Sequence, residues 1–156
     1  MTLFTNGFVT LQNPKDFDPI ANKGDFVELS LVNPNIPMTI KFSTAPTLVG
    51  LPDIKNAMED QLNSNPNINV ETADFIAIND DIYYMLISSI KTDKSEIKRN
   101  EFMFVKDNNL YSFEFVYPYA DAELDDFYLN IIRSLKIKKP KYIVSGDGYK
   151  INEEYS

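Results

Sequence analysis

Residue types that usually carry out acid–base and nucleophilic chemistry are missing from this sequence. It contains no histidine and no cysteine. Their absence excludes Ser-His-Asp and Cys-His nucleophiles, histidine-ligated zinc, and thiolate or disulfide chemistry. No phosphate-binding glycine loop and no G-x-S-x-G motif occurs among its 5 glycines. We therefore expect no enzyme, no metal site and no cofactor.

Paired carboxylates are the remaining candidates for chemistry. Asp80 and Asp81 fall in a predicted hairpin turn, and turn geometry accounts for them. Asp125 and Asp126 lie near the start of a predicted helix, where acidic side chains complement the helix dipole. Asp147 lies in a Ser-Gly-Asp-Gly stretch without the ligand spacing of an EF-hand. A hydrolase with an acid dyad is kept only as a hypothesis for carboxylate geometry to test.

The overall charge and composition indicate an acidic globular protein. The chain has 156 residues, about one domain, and 44% of them are hydrophobic. Its net charge of -8 argues against a nucleic-acid partner, because phosphate backbones attract basic surfaces. No apolar run is long enough to predict a transmembrane segment.

An aromatic hairpin is the strongest fold signal. Residues 101–106 and 110–117 are rich in aromatic and β-branched side chains, which suit a half-buried pleated surface. If Asn108 and Asn109 form a two-residue loop, Phe104 lies opposite Phe113. Alternation then predicts one buried aromatic face. Its members are Phe102, Phe104, Tyr111, Phe113, Phe115 and Tyr117. A binding platform for a ligand is the weaker interpretation of the same residues.

An amphipathic helix follows the hairpin. Asp121 is the predicted N-cap, and Pro140 prevents continuation beyond a basic C-terminal end. The apolar positions have helical spacing. They are Leu124, Phe127, Tyr128, Ile131, Ile132 and Leu135.

The rest of the chain predicts short strands and one further helix. Strands are expected at 8–11, 26–32, 38–43, 75–78 and 82–90, a helix at 50–62, and an exposed hairpin loop at 91–100. This order predicts an α+β fold, an antiparallel sheet of about six to seven strands with two helices. We expect a single domain at 1–138 and a C-terminal tail or small hairpin at 139–156.

The element order, with its local sequences, resembles the PsbP/DcrB-like superfamily of small α/β/α sandwich domains. The similar stretches are FVTLQNP at 8–14, MEDQL at 58–62, NPNINV at 65–70, LYSFEF at 110–115 and IIRSLKI at 131–137. The resemblance covers roughly residues 7–137. The tryptophan that commonly follows the first strand is absent, and Phe17 is its expected substitute.

The resemblance implies a non-enzymatic role. The superfamily includes photosystem accessory subunits, periplasmic lipoproteins and Eag-type chaperones of type VI secretion, and it supplies no catalytic motif. We therefore expect a binding or accessory protein, a chaperone or adaptor for a protein partner in bacterial secretion or the envelope. The alternative is a carrier or sensor of a small apolar ligand, as an extracytoplasmic lipoprotein-type domain. Whether the chain forms a homodimer is left open by the sequence.

The predicted partner-binding surface is an apolar set on two strands. Methionine and aromatic side chains adapt to varied apolar partners. The candidates are Met38, Ile40, Phe42, Tyr83 and Met85. The competing interpretation, favoured by strand alternation, is ordinary core beneath the first helix.

The expected compartment depends on the N-terminus. If Met1 is native, the lack of a basic region and apolar core predicts a cytoplasmic protein. If the sequence has been trimmed, an extracytoplasmic lipoprotein domain is the equal alternative.

Overall fold

The structure is a computed structural model that describes residues 2–22, 24–118 and 125–153. Its strands and helices in chain order are β1 Thr2–Thr5, β2 Val9–Asn13, β3 Asp18–Pro19, β4 Val27–Val32, β5 Thr39–Pro46, α1 Leu51–Asn63, β6 Ile68–Ile78, β7 Asp81–Lys91, β8 Glu96–Lys106, β9 Asn109–Pro118, α2 Asp125–Arg133, β10 Lys136–Ile137, β11 Tyr142–Ser145 and β12 Gly148–Ile151.

A seven-stranded antiparallel sheet is the centre of the fold. Its strand order is β3-β4-β5-β9-β8-β7-β6. A three-stranded sheet, β1-β2-β10, and a two-stranded sheet, β11-β12, accompany it. The predicted α+β class with two helices is confirmed. Sequence patterns missed β1, β3 and β10, because β3 and β10 are too short to show alternation and β1 is mostly exposed.

The β8–β9 hairpin turns one residue earlier than predicted. Asp107 and Asn108 have φ angles of 51° and 60°, the left-handed values that a two-residue turn requires. Phe104 therefore lies opposite Tyr111 and Phe102 opposite Phe113, and the predicted Asn108-Asn109 loop is wrong. The register moves by an even number of residues, so every side chain keeps its predicted face.

One side of the large sheet, called here the aromatic face, forms the main core. Its fully buried members include Phe42, Phe102, Tyr111, Phe113 and Phe115. The three-stranded sheet and α2 cover it, and the ring centroid of Tyr128 lies 5.4 Å from Phe102 and 5.3 Å from Phe115. Burial confirms core as the role of these aromatic residues.

The expected substitute for the missing tryptophan also lies in this core. Phe17 is 6% exposed and meets Phe127 of α2 edge to face, with 5.5 Å between ring centroids. An edge-to-face pair places the positive ring edge against the negative ring face, which favours this geometry.

Helix α2 ends earlier than predicted. It ends at Arg133, and the chain then extends so that Lys136 and Ile137 pair with Thr10 and Val9 of β2. Leu135, predicted as the last apolar helical position, therefore lies outside the helix. The predicted cap Asp121 and apolar position Leu124 lie outside the described residues.

Helix α1 covers part of the opposite side of the sheet, called here the α1 face. Its predicted apolar stripe is confirmed, with Leu51 buried and Ile54, Met58 and Leu62 half-buried against the sheet. The sheet residues beneath it are Tyr84, Leu86, Met103, Val105, Leu110 and Ala73. Among the helices of the described residues, none has the length and apolar composition to span a membrane.

Two strands are longer than their sequence patterns indicated. β6 begins at Ile68 instead of residue 75, and β8 begins at Glu96, so the prediction of a loop over 91–100 is wrong. The charged side chains at the start of β8 interrupt the apolar alternation, so the sequence pattern did not indicate a strand there. Lys98 and Arg99 lie on the sheet surface, where they form ion pairs with glutamates of β6, β8 and β9.

The C-terminal segment forms a small hairpin, one of the two predicted alternatives. β11 and β12 pair through a turn formed by Gly146 and Asp147, and Gly148, the first residue of β12, has a φ of 138° that favours glycine. Asn109, which is fully buried, donates to the Tyr142 carbonyl oxygen and accepts from the Tyr142 amide, both at 3.0 Å. These bonds attach the hairpin to the first residue of β9.

Candidate binding surface at the turn end of the sheet

Three connections meet at one end of the large sheet. The β6–β7 turn, Asn79 and Asp80, and the β8–β9 turn both use positive φ angles. The loop from β5 to α1 is bonded to the β8–β9 turn, because the Thr47 amide donates to the Asn108 carbonyl oxygen at 2.9 Å. The Asn108 side chain donates back to the Thr47 carbonyl oxygen at 3.2 Å. The two turns and this loop together are called here the rim.

An open apolar cleft of about 510 Å³ lies at this rim, where α1 begins. Large apolar side chains lie at its mouth: Phe75 is 41% exposed and Ile82 is 57% exposed. The cleft is lined by Gly50, Leu51, Pro52, Phe75, Asp81, Ile82, Phe104 and Val105. Its volume and apolar walls are typical of binding sites for small molecules or anchoring side chains.

Contacts with α1 and β7 hold Phe75 in position. Its ring centroid lies 6.1 Å from that of Tyr84, and the Lys55 Nζ lies 6.0 Å from the Phe75 centroid. Glu59 restrains Lys55 through a 2.6 Å ion pair. Burial and the neighbouring Glu59 raise the pKa of Tyr84 to about 12, so its hydroxyl stays protonated at neutral pH. Phe75 is thus held by Tyr84 and Lys55, and the rest of its ring is exposed to solvent.

A second apolar cleft, of about 320 Å³, lies beside the same loop. Leu48, 69% exposed, and Tyr149, 55% exposed, contribute to its walls. Phe26 packs edge to face against Tyr149, with 6.4 Å between centroids. The loop before α1 contributes to both clefts, so apolar surface extends across much of this end of the protein.

A polar groove of about 260 Å³ lies on the α1 face beside the helix. Glu101 and Glu114 are directly opposite each other on β8 and β9, and Arg99 forms ion pairs with both at 3.5 Å and 3.6 Å. Burial raises the pKa of Glu101 to about 7; Arg99 opposes this shift, and Glu114 adds to it through repulsion and a hydrogen bond. Glu101 can therefore carry a proton near neutral pH.

Sequence reasoning missed this carboxylate pair because it used the wrong turn. With Asp107 and Asn108 as the loop, counting outward places Glu101 opposite Glu114. The sequence allowed the correct turn, since both Asp107-Asn108 and Asn108-Asn109 have the residue types that a two-residue turn prefers. A carboxyl group beside a second carboxyl group can hold a proton, because two like charges at close range repel each other.

The predicted partner-binding residues do not form an exposed patch. Met38, Ile40, Phe42 and Tyr83 are between 0% and 3% exposed, and Met85 is half-buried. Met38 precedes β5, and the other four lie on β5 and β7. All five pack toward α2 and the three-stranded sheet, so they belong to the core as the competing interpretation held. They pack on the aromatic face, not beneath the first helix. Exposed apolar side chains lie instead at the turn end, with Phe75 and Ile82.

The carboxylates singled out in the sequence are dispersed. Asp80 lies in its predicted turn, Asp81 begins β7, Asp126 is exposed on α2 and Asp147 is exposed in the last turn. The side chain of Asp125 lies outside the described residues. In the described part of the chain, no group of three acidic residues is placed to hold a metal ion.

Comparison with known proteins rests on structure, because no protein-family model and no curated sequence matches the chain. Cyanobacterial PsbP (CyanoP) from Synechocystis sp. PCC 6803 superposes with a TM-score of 0.68 at 11% identity, over 87% of this chain and 91% of that chain. The chain has a PsbP-like fold. LpqN of Mycobacterium tuberculosis, involved in cell envelope biogenesis, gives 0.60 at 12% identity, over 84% and 83%.

A third similar structure was solved with a bound peptide. The type VI secretion immunity protein TplEi of Pseudomonas aeruginosa, complexed with "L" peptide, gives a TM-score of 0.52 at 12% identity. The match covers 84% of this chain and 59% of that chain. At these identities the likeness establishes the PsbP-like fold alone, because one fold hosts many functions.

Proposed function

We propose that this chain is a non-enzymatic module that binds a protein partner at the turn-end cleft. The observation that carries the proposal is the apolar cleft of about 510 Å³ with Phe75 and Ile82 exposed at its mouth. Exposed apolar surface around a concave site is typical of protein-interaction and ligand sites. An anchoring aromatic or aliphatic side chain of the partner fits this chemistry.

Paired strands hold the apolar anchors of the site. Phe75 lies on β6 and Ile82 on β7, and the neighbouring loop before α1 exposes Leu48 and Val49 beside the cleft, at 69% and 48%. Rigid anchors lower the entropy lost on binding. Adaptor or chaperone activity in secretion or the envelope is the accessory role that we favour for such a surface.

Substitution of Ile82 tests the proposal. We expect Ile82→Asp to leave the fold intact, because the side chain is 57% exposed, and to weaken partner binding by about tenfold or more. Leu3→Asp is the matched control, since Leu3 is an exposed apolar strand residue away from the cleft. Affinity purification with quantitative mass spectrometry, followed by calorimetric titration of the purified partner, gives the comparison. A partner set that is unchanged by Ile82→Asp would contradict the proposal.

A carrier of a small apolar ligand is the second candidate function. The cleft volume favours it, since ligand pockets begin at about 300 Å³. Native mass spectrometry of the purified protein, before and after organic extraction, distinguishes the two. A stoichiometric apolar ligand that is lost in Ile82→Asp supports the carrier, whereas an empty protein that binds its partner supports the protein-binding module.

A further inference from the structure

The two edge strands of the large sheet differ in how well they are protected against pairing with a further strand. The edge strand β3 has two residues, one of which is Pro19, so it offers little backbone for pairing. The opposite edge strand, β6, has 11 residues and contains neither proline nor lysine. In the described residues no strand pairs with the outer side of β6. A bulge between Val70 and Thr72 interrupts β6, so its regular edge runs from Thr72 to Ile78. This regular stretch has neither proline nor lysine and is a template for an added strand.

The β6–β7 turn determines which backbone groups of β6 point outward. In a two-residue hairpin the residues that flank the turn, here Ile78 and Asp81, exchange both backbone hydrogen bonds. Alternate residues then bond outward, which places the amides of Ala73, Phe75 and Ala77 on the free side. The Phe75 amide donates to Oδ1 of the preceding residue, Asp74, at 2.8 Å and not to β7, and an added strand would replace this hydrogen bond.

The side chains along this edge select a particular partner chemistry. Residues 68–81 include acidic side chains at 71, 74, 80 and 81 and no basic one. Glu71 already forms an ion pair with Lys98 at 3.7 Å, so Asp74 is the carboxylate of the edge that a basic partner would meet. Asp74 is exposed on one side of the strand, and the half-exposed Phe75 lies on the other. On the Phe75 side, Lys55 already occupies the ring face, so a second cation is unfavourable there. A basic side chain beside Asp74 and an apolar one beside Phe75 therefore fit best.

We propose that the outer edge of β6 accepts one strand from a partner protein, an extended segment that alternates basic and apolar side chains. Backbone pairing supplies affinity and the alternating side chains supply selectivity, as in other cases of strand addition. A second copy of this chain is disfavoured because both copies carry a net charge of -8. This inference rests on the proposed protein-binding function and names the partner segment.

A synthetic peptide of alternating lysine and valine tests the edge directly. On titration into the 15N-labelled chain, we expect chemical-shift changes and slower amide exchange at Ala73, Phe75 and Ala77. Asp74→Lys is expected to weaken binding by about fivefold to tenfold, and a glutamate–valine peptide should then bind the variant better than the wild type. Asp60→Lys makes the same charge change on the exposed surface of α1 and should have no effect.

A backbone variant separates strand pairing from charge attraction. Ala77→Pro removes an outward amide that no β7 partner uses, so we expect the fold to persist and peptide binding to fall about tenfold or more. Equal binding to this variant, or shifts confined to other strands, would overturn the inference. Self-association of the wild type that Asp74→Lys abolishes would identify a second copy as the occupant and also overturn it. If the peptide fails while an Ile82-dependent partner still binds, only the strand-addition inference is lost.

Discussion

The two faces of the large sheet belong to the same strands but are covered to different extents. The aromatic face is covered by α2 and the three-stranded sheet, and Phe42, Phe102 and Phe113 are fully buried there. The α1 face is covered by one helix over β6, β7 and β8, and its fully or nearly buried cluster is small. Beside the helix, the α1 face carries Glu101 and Glu114, whereas the aromatic face of the same strands carries aromatic side chains.

This contrast separates stability from recognition. Hydrophobic stabilisation is roughly proportional to apolar area removed from water, so the aromatic face supplies most of it. The α1 face retains a groove, a titratable carboxyl group and, at its turn end, an apolar cleft. We therefore expect substitutions on the aromatic face to change the free energy of unfolding most, and substitutions at the cleft to change binding.

Truncation of a core aromatic should have the largest effect. Phe113→Ala on the aromatic face is expected to lower the free energy of unfolding by about 3–5 kcal/mol, because it removes a fully buried ring and leaves a cavity. Met58→Ala on α1, at a half-buried position, should cost about 1–2 kcal/mol. Urea unfolding of both variants measures the difference. Equal losses would show that the two faces contribute alike.

The carboxyl group of Glu101 should give the α1 face a pH dependence. Its pKa rises from 4.5 to about 7 in the folded chain, so the folded state holds this proton more tightly than the unfolded state does. The associated stability is fully present below about pH 4.5 and is lost as the pH rises through about 7, up to about 3 kcal/mol. Glu101→Gln should remove this loss.

Thermal and urea unfolding of wild type and Glu101→Gln between pH 4.5 and pH 8 checks the sign. Asp60→Asn, which removes an exposed carboxylate on α1, is the control. The wild type should lose stability relative to Glu101→Gln as the pH rises. A parallel dependence in the two proteins would show that burial does not raise the pKa of Glu101.

Loss of the attachment of the C-terminal hairpin should have a local effect. Asn109→Ala removes both hydrogen bonds to Tyr142 and leaves buried backbone groups unpaired, which is expected to cost about 1–3 kcal/mol. Amide exchange should accelerate at Tyr142 and leave Phe113 unchanged. Asn69→Ala, at an exposed asparagine of β6, is the matched control. Faster exchange throughout the sheet would mean that the hairpin stabilises the whole fold.

Local patterns in the sequence predicted the elements that build the core. Alternation identified the aromatic face of β8 and β9, and helical spacing identified the stripe of α1 from Leu51 to Leu62. Both signals depend only on which side chains recur on one side of an element, so they survive an error in register. The hairpin shows this, because its turn was misplaced and its faces were still correct.

Contacts between elements were decided by the tertiary structure. Pairing with β2 makes Lys136 and Ile137 a strand, although spacing alone favoured continued helix. Met38 and Tyr83 looked suited to a partner surface, and coverage by α2 and the three-stranded sheet placed them in the core. Phe75 and Ile82 belong to equally apolar strands, but α1 leaves them exposed. A residue's pattern specifies its face, whereas burial depends on what packs against that face.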